Sequence, residues 1–518
     1  MWKKEKQTGN GKGGILINPP IRKANHSLLF DHQKQELKSF GNKWTQLKKA
    51  FRHDFSINLS QKEKRENLFF CKYTLFRKDT PQRSIRLIYE LYLHSRFKKS
   101  EHTWFKQLFS EIKASKKHKV SSKPKKVLLV IDTLVMGGAE RQLTNLAKYL
   151  TRNKIQVKII TLLEHASPCS DYLKKLNNED IEHINPAYNG LKPNTQIQDI
   201  KVISIMAEMP KFLKHKVWFL YQVLDSFKPD VVHSFLDYSN IVTAYACFIS
   251  GHPRVLISFR NQNPQNLNLG KSWYKKYYKR IAPVDSIQLT ANSVSGAKDY
   301  RKWLSLSSKD IHITQNLFDF EDCNFESEEI GKIRKDLNMD LDQKVVGGVF
   351  RMTPQKEPID FVKVINKVAL RIPNLKVILV GSGILKIKVQ QKIKTLGLEN
   401  HFIFLDQHPN ILALYSIMDV LLLTSSYEGT PNVLIEALAN STPVVSTDVG
   451  GVPELVKHGH NGLLSKPHDI ETLASHCVKL LNSTELRNKF SSAGRQLVED
   501  EYCPEKRIDE LLTLYGTN

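Results

Sequence analysis

Two glutamates frame the segment most suited to chemistry, Glu428-Gly-Thr-Pro-Asn-Val-Leu-Ile-Glu436. An apolar run, Val420 to Leu423, precedes it, followed by Thr424-Ser-Ser-Tyr427. Thr430 is a competent N-cap and Pro431 suits a first helical position. The pattern therefore predicts a strand, a tight turn and a helix over Asn432–Leu438. The helix start, with the backbone N–H groups of Gly429 and Thr430, would form an anion site fit for a nucleotide diphosphate. Glu428 would lie just before the helix, in reach of sugar hydroxyls. Glu436, on its second turn beside Val433 and Ala437, could hold a ribose diol bidentately. The plain alternative is that Glu436 sits on a solvated helix face.

Other polar residues follow predicted strands in the same manner. Phe350-Arg351-Met-Thr-Pro-Gln-Lys356 offers a planar guanidinium fork and a point charge to an anion; a surface pair of cations is the alternative. Gly381-Ser-Gly383 follows the run Val377–Val380, and Gly137-Gly138-Ala-Glu-Arg141 follows Val127–Ile131. Glycine lets backbone approach a phosphate, although a tight turn needs glycine too. The G-x-G-x-x-G spacing of dinucleotide-binding dehydrogenases is absent from the second loop. In Lys228-Pro-Asp-Val-Val-His233-Ser-Phe-Leu-Asp237, and at Arg260 in Ser258-Phe-Arg-Asn261, His233, Asp237 and Arg260 are acceptor-side candidates near strand ends. A buried structural histidine competes with a catalytic one at His233.

The elements that must position these groups alternate between short apolar strands and amphipathic helices from Val127 onward. Two such series, each of roughly 180–200 residues, imply two Rossmann-like α/β domains facing a cleft. We place the acceptor domain at 125–320 and the donor domain at 321–502, with a C-terminal helix, 503–518, packing back on the acceptor domain. Residues 1–124 differ in texture. Their apolar and aromatic residues fall at helical spacing, and the basic run Lys113 to Lys126 reads as a linker, so a small, mainly helical N-terminal domain is expected.

Charge is as uneven as texture. The chain carries a formal net charge of +25 over 518 residues. Residues 1–124 hold 29 Lys and Arg against 10 Asp and Glu, a net of +19, whereas the remainder holds 48 against 42. A basic module meeting an anionic membrane surface fits this asymmetry, and no nucleic-acid partner is expected. The six cysteines form no CxxC pair and no metal-ligand cluster, as expected of a reduced, cytoplasmic chain without a metal site. No apolar run approaches the roughly 18–20 residues needed to span a bilayer.

Residues 425–464, SSYEGTPNVLIEALANSTPVVSTDVGGVPELVKHGHNGLL, resemble the donor motif of glycosyltransferase family 4: E-x7-E followed by Gly-Gly-x-x-Glu. The Arg351-to-Lys356 spacing, the Gly381-Ser-Gly383 loop and the Gly137-Gly138 loop are similar to further family segments. The resemblance covers about residues 125–518 and implies the GT-B fold, a retaining mechanism and a nucleotide-sugar donor without cofactor or metal. Carried over, it makes Glu428 a donor-sugar contact, Glu436 the ribose ligand, and Arg351 and Lys356 the groups that stabilise the leaving diphosphate. Gly137, Gly138, Gly381, Gly383, Gly429 and Thr430 complete the donor site. The chain departs from the family at Phe350, where glycine is usual, at Ala439-Asn440-Ser441, and at Phe235, where many relatives carry a histidine. The implied reaction is transfer of a sugar, most often from a UDP-sugar, to a polysaccharide, lipopolysaccharide or lipid-linked glycan. A non-catalytic nucleotide-sugar or nucleic-acid scaffold and a UDP-sugar epimerase are the competing readings.

Overall fold

The computed structural model describes residues 123–516, apart from 164–167, 186–208, 210, 253, 266–272, 307–310, 324, 326, 341 and 409. The helical domain expected within residues 1–124, and the membrane role attached to it, lie outside the described residues.

Seven parallel strands form the first sheet: β1 (Lys126–Ile131), β2 (Gln156–Thr161), β3 (Glu182–Ile184), β4 (Val231–Phe235), β5 (Val255–Phe259), β6 (Ile287–Ala291) and β7 (Ile311–Ile313), in the order β3-β2-β1-β4-β5-β6-β7. Six more form the second: β8 (Lys344–Val349), β9 (Leu375–Val380), β10 (Phe402–Leu405), β11 (Val420–Leu423), β12 (Val444–Thr447) and β13 (Gly462–Ser465), in the order β10-β9-β8-β11-β12-β13. The two-domain α/β expectation is borne out. The edge strand β3 is the element the sequence did not single out; its three residues bury only Ile184, too little for a periodic signal.

Strands covered on both faces read as continuous apolar runs rather than alternations. β1, β4, β5 and β11 are such runs, and their residues from Val127, Val231, Val255 and Val420 onward are buried. On one face of the first sheet, Leu128, Val130 and Val232 pack with residues of the helices Lys211–Phe227 and Asp237–Ser250. On the other face, Leu129, Ile131 and Phe235 meet the helix Gly138–Arg152.

That second face is completed by the chain's last helix. The helix Thr484–Glu501 lies on the donor domain, where Gly494 abuts Leu438. The chain then crosses back at Tyr502, whose carbonyl accepts the Phe318 N–H at 2.8 Å. The helix Pro504–Gly516 buries Ile508, Leu511 and Tyr515 against the first sheet. The two crossings between domains thus run side by side.

In each sheet the strand order reverses once, between β1 and β4 and between β8 and β11. At such reversals the following helices leave on opposite faces, opening a crevice beyond the strand ends. Asp132 and Asp237 flank the first crevice, and Phe350-Arg351 with Thr424-Ser425 flank the second.

Candidate active site

The donor loop starts where β11 ends. The Thr424 hydroxyl donates to the carbonyls of Lys356 and Glu357 at 3.0 and 3.2 Å, tying the loop after β11 to the short turn Pro354–Lys356. Glu428 is 4% exposed. Its Oε1 accepts the Ser425 hydroxyl at 2.6 Å and forms an ion pair with Lys356 Nζ. Lys356 and Glu428, read separately as diphosphate and sugar contacts, therefore meet each other. Gly450 holds the turn beneath them: its φ is +54°, and a Cβ there would stand 1.8 Å from the Glu428 carbonyl oxygen. Only a residue without a side chain fits that position.

The helix runs Asn432–Ala439 with Pro431 at its N-cap and no side-chain cap bond. Thr430 is not the cap that was expected. Its hydroxyl is drawn across the cleft to the Asn292 carbonyl of the acceptor domain, at 2.6 Å. Asn432 likewise reaches over, donating to the Gly138 carbonyl at 2.9 Å and accepting from Gln142 at 3.1 Å and Asn316 at 2.6 Å. At the helix end the left-handed residue is Ser441, at φ +58°, while Asn440 stays at φ −90°; Ser441 occupies the place where the family pattern has glycine.

Glu436 is 3% exposed, which removes the solvated-face alternative. Its Oε2 accepts the Tyr415 hydroxyl at 2.8 Å, and its Oε1 pairs with Arg141 Nη1 from the acceptor domain. Burial, together with the Glu436 charge, pushes the Tyr415 phenol well up. Each carboxylate oxygen therefore already accepts one hydrogen bond in this structure, so a ribose diol would share the carboxylate with Tyr415 and Arg141. The Arg141–Glu436 pair lines a cavity of about 430 Å³ together with Tyr172, Asn410 and Ile411.

Arg351 is exposed at the cleft, and its charge partly offsets the upward shift that burial imposes on Glu140 of the opposite domain. Gly381 and Gly383 form the floor beside it. Their φ values are +132° and +151°, and a Cβ on Gly381 would stand 2.1 Å from the Phe350 carbonyl. Phe350 turns inward against Phe361, their ring centroids 5.3 Å apart, so its bulk does not enter the loop. In the acceptor domain, Gly137 caps the helix Gly138–Arg152 in an extended conformation, and its carbonyl accepts the Tyr172 hydroxyl at 3.0 Å.

The three acceptor-side candidates separate. His233 is buried; Nδ1 meets the Tyr515 hydroxyl at 2.9 Å and Nε2 the Ser258 hydroxyl at 2.6 Å. Burial, reinforced by the Arg260 charge, lowers its pKa to about 3. Both ring nitrogens are spent on the fold. Asp237 accepts the Tyr278 and Tyr300 hydroxyls, each at 2.8 Å, and burial raises its pKa to about 6. Arg260 stacks over the Phe235 ring at 4.6 Å and donates to Asn316 at 2.5 Å.

Sequence reasoning missed Asp132. It follows β1 directly, accepts the Ser239 N–H at 3.0 Å and the Ser239 hydroxyl at 2.5 Å, and has its pKa raised to about 7, mainly by burial, with Asp237 and Glu140 adding to the rise. The available signal was its place as the first polar residue after a central strand.

His233 supports a pH prediction. Its folded pKa lies below the ordinary 6.5, so folding favours the neutral ring. The corresponding stability is complete above pH 6.5 and is lost as pH falls toward 3, by about 1.4 kcal/mol per unit. Asp132 and Asp237 act in the opposite sense, because their raised pKa values favour the protonated form. The comparison must therefore isolate His233. Wild type should lose more stability than His233→Gln in urea unfolding between pH 7 and pH 5, and parallel losses would refute a buried neutral histidine.

Among the described residues, Glu357, Asp360 and His468 bring potential ligand atoms within 4.8 Å of one another. Asp360 already accepts Lys363 at 2.8 Å and His468 at 2.6 Å, and Glu357 accepts the Ser426 hydroxyl at 2.7 Å. These contacts account for the cluster as a hydrogen-bonded group.

Two facing α/β sheets with buried carboxylates, cations and glycine loops at the shared cleft define a glycosyltransferase of the GT-B class. The model of Glycosyltransferase Family 4 matches residues 136–322, and that of Glycosyl transferases group 1 matches residues 329–497. The chain belongs to this glycosyltransferase family. Among its relatives is the Vi polysaccharide biosynthesis protein VipC/TviE of Salmonella typhi, 24% identical over 74% of this chain and 70% of that protein. Another is the Campylobacter jejuni GalNAc-alpha-(1->4)-GalNAc-alpha-(1->3)-diNAcBac-PP-undecaprenol alpha-1,4-N-acetyl-D-galactosaminyltransferase, 28% identical over 72% of this chain and 94% of that one. Among solved structures, Anabaena Alr3699/HepE in complex with UDP-glucose superimposes with a TM-score of 0.61 at 21% identity, over 75% of this chain and 99% of that one.

Proposed function

We propose that this glycosyltransferase moves a sugar, with retention of anomeric configuration, from a UDP-sugar to a polysaccharide or lipid-linked glycan. The observation that carries the reading is the convergence of buried Glu428 and Glu436 with Lys356 on one cleft. Relatives named for polysaccharide biosynthesis and for transfer to an undecaprenol-linked glycan, and a neighbour bound to UDP-glucose, support the donor and acceptor classes. In the reaction the bond from the sugar's anomeric carbon to the β-phosphate oxygen breaks and a bond from the acceptor oxygen forms. The acceptor proton passes to the departing diphosphate. Arg351 and Lys356 meet the charge that grows on that group, and preorganised cations contribute most where charge develops. We propose that these two cations do the work without a metal, so that excess EDTA leaves the rate unchanged.

The decisive experiment is hydrolysis and transfer with UDP-, GDP- and ADP-sugars. UDP-sugar is expected to be consumed, with an α-linked product from an α-linked donor. An inverted product refutes retention. An epimerised donor with no dependence on acceptor supports the epimerase instead.

No helix among the described residues is long and apolar enough to cross a membrane. We propose that the protein acts on the cytoplasmic face of a membrane, held there by residues 1–124. Each cation near an anionic surface contributes on the order of 1 kcal/mol, so a few engaged together suffice, and salt screens them. Full-length protein should sediment with anionic liposomes at low salt and release at high salt. Equal sedimentation of a chain starting at Ser121 would remove the basic segment as anchor.

A further inference from the structure

A second cavity, about 350 Å³, lies beneath the last helix, beside the two interdomain crossings. Arg260, Thr314 and Gln315 line it from the acceptor domain, and Arg507 and Glu510 from the helix Pro504–Gly516. Three buried polar atoms on these walls have no hydrogen-bond partner: Arg260 Nε, Thr314 Oγ1 and Arg507 Nε. Buried donors are seldom left unmatched.

One of the two charges, that of Arg260, is unmatched as well. Arg507, 8% exposed, pairs with Glu510 at 2.8 Å, lies 3.9 Å from Glu501 and donates to Gln315 at 2.6 Å, which leaves its Nε free. Arg260 has the Asn316 side-chain oxygen and the Phe235 ring, and among the described residues no carboxylate lies within ion-pair distance of it. Burial lowers its pKa to about 10, with no acidic neighbour to raise it again. A half-buried cation with no counter-charge and an unmatched, buried Nε is costly, and a hydrogen-bonded anion removes that cost. The space far exceeds one water's share of about 30 Å³ and falls in the range of small-ligand sites.

We propose that this cavity binds a small oxyanion, a phosphate or a carboxylate, between the guanidinium groups of Arg260 and Arg507 with the Thr314 hydroxyl as a further donor. The site is separate from the donor loop but connected to it. Arg260 holds Asn316, and Asn316 donates to the Thr430 carbonyl at 3.2 Å and to the Asn432 side-chain oxygen at 2.6 Å. An anion on Arg260 therefore bears on the loop that carries Glu428 and Glu436, beside the two interdomain crossings. The inference does not require the transferase reading to be correct.

The test uses the full chain, with inorganic phosphate and glucuronate as separate probes titrated by calorimetry. The Lys356→Ala protein serves as background to weaken phosphate binding at the donor loop, and sensitivity to the two cavity substitutions separates the sites. One saturable site is expected for at least one probe, and the tighter probe identifies the source of the oxyanion. Arg507→Gln should weaken it at least tenfold. Thr314→Val, which breaks no existing hydrogen bond, should weaken it about threefold and keeps the test valid if Arg507→Gln loosens the last helix. Absence of saturable binding for both probes, or binding unchanged in both variants, overturns the proposal. Loss of UDP-sugar turnover with the anion site intact would instead count against the reading under Proposed function.

Discussion

Replacing Lys356 by alanine is expected to lower kcat/KM for sugar transfer by about 10²–10³-fold, the range found when one preorganised charge partner of a reacting group is removed. Two effects add. On the role proposed for Lys356, the departing diphosphate loses a cation that strengthens its interaction as charge grows. Glu428, with a side chain 6% exposed, also loses its ion-pair partner and retains Ser425. Breaking one half of a buried pair leaves the other charge uncompensated, so the loop around Glu428 should loosen. Lys356→Arg keeps the charge and should recover part of the rate. Steady-state kinetics separate the contributions: a fall confined to kcat assigns Lys356 to the transition state, and a rise confined to the donor KM assigns it to ground-state binding. Wild-type values of both in Lys356→Ala would remove the residue from the site.

Substitution at the two ends of the Arg141–Glu436 pair should move nucleotide affinity in opposite directions. Glu436→Ala removes the charged acceptor proposed for the ribose and leaves the buried Tyr415 hydroxyl without its partner. A charged hydrogen bond contributes about 1.5–3 kcal/mol, so UDP should bind roughly 10- to 150-fold more weakly. On the ribose role proposed for Glu436, Arg141→Ala instead frees Oε1, for which ribose and Arg141 would compete. Arg141 is 29% exposed against 4% for Glu436, so solvent accepts the arginine more readily than the glutamate. UDP should then bind several-fold more tightly, even though an interdomain contact has been removed. Calorimetric titration of both variants decides the matter, and weaker binding in Arg141→Ala would show that the arginine holds the nucleotide rather than competing with it.

Much of the architecture was legible in the sequence because a parallel strand covered on both faces must be apolar along its length. Val127–Ile131 and Val420–Leu423 could hardly be anything else, and the residues that follow them fall at strand ends by construction. The Glu428–Glu436 segment was legible for a local reason: turn, helix start and carboxylate spacing lie within nine consecutive residues.

Whom each side chain meets was decided by the tertiary structure. Thr430 has the chemistry of an N-cap, but the Asn292 carbonyl of the other domain, 138 positions away, takes its hydroxyl. Glu436 has the chemistry of a ribose ligand, but Arg141, 295 positions away, occupies one of its oxygens. His233 looks catalytic in a Pro-Asp-Val-Val-His string until Tyr515, on the last helix, closes over its Nδ1. Asp132 acquires its raised pKa only once folding buries it at the end of β1, with Asp237 after β4 adding to the rise. Local backbone preference and hydrophobic pattern act over a few residues and are written in the sequence. Burial, charge pairing and hydrogen-bond competition depend on groups that chain folding brings together from distant positions, within the acceptor domain for His233 and Asp132 and between the two domains for Thr430 and Glu436.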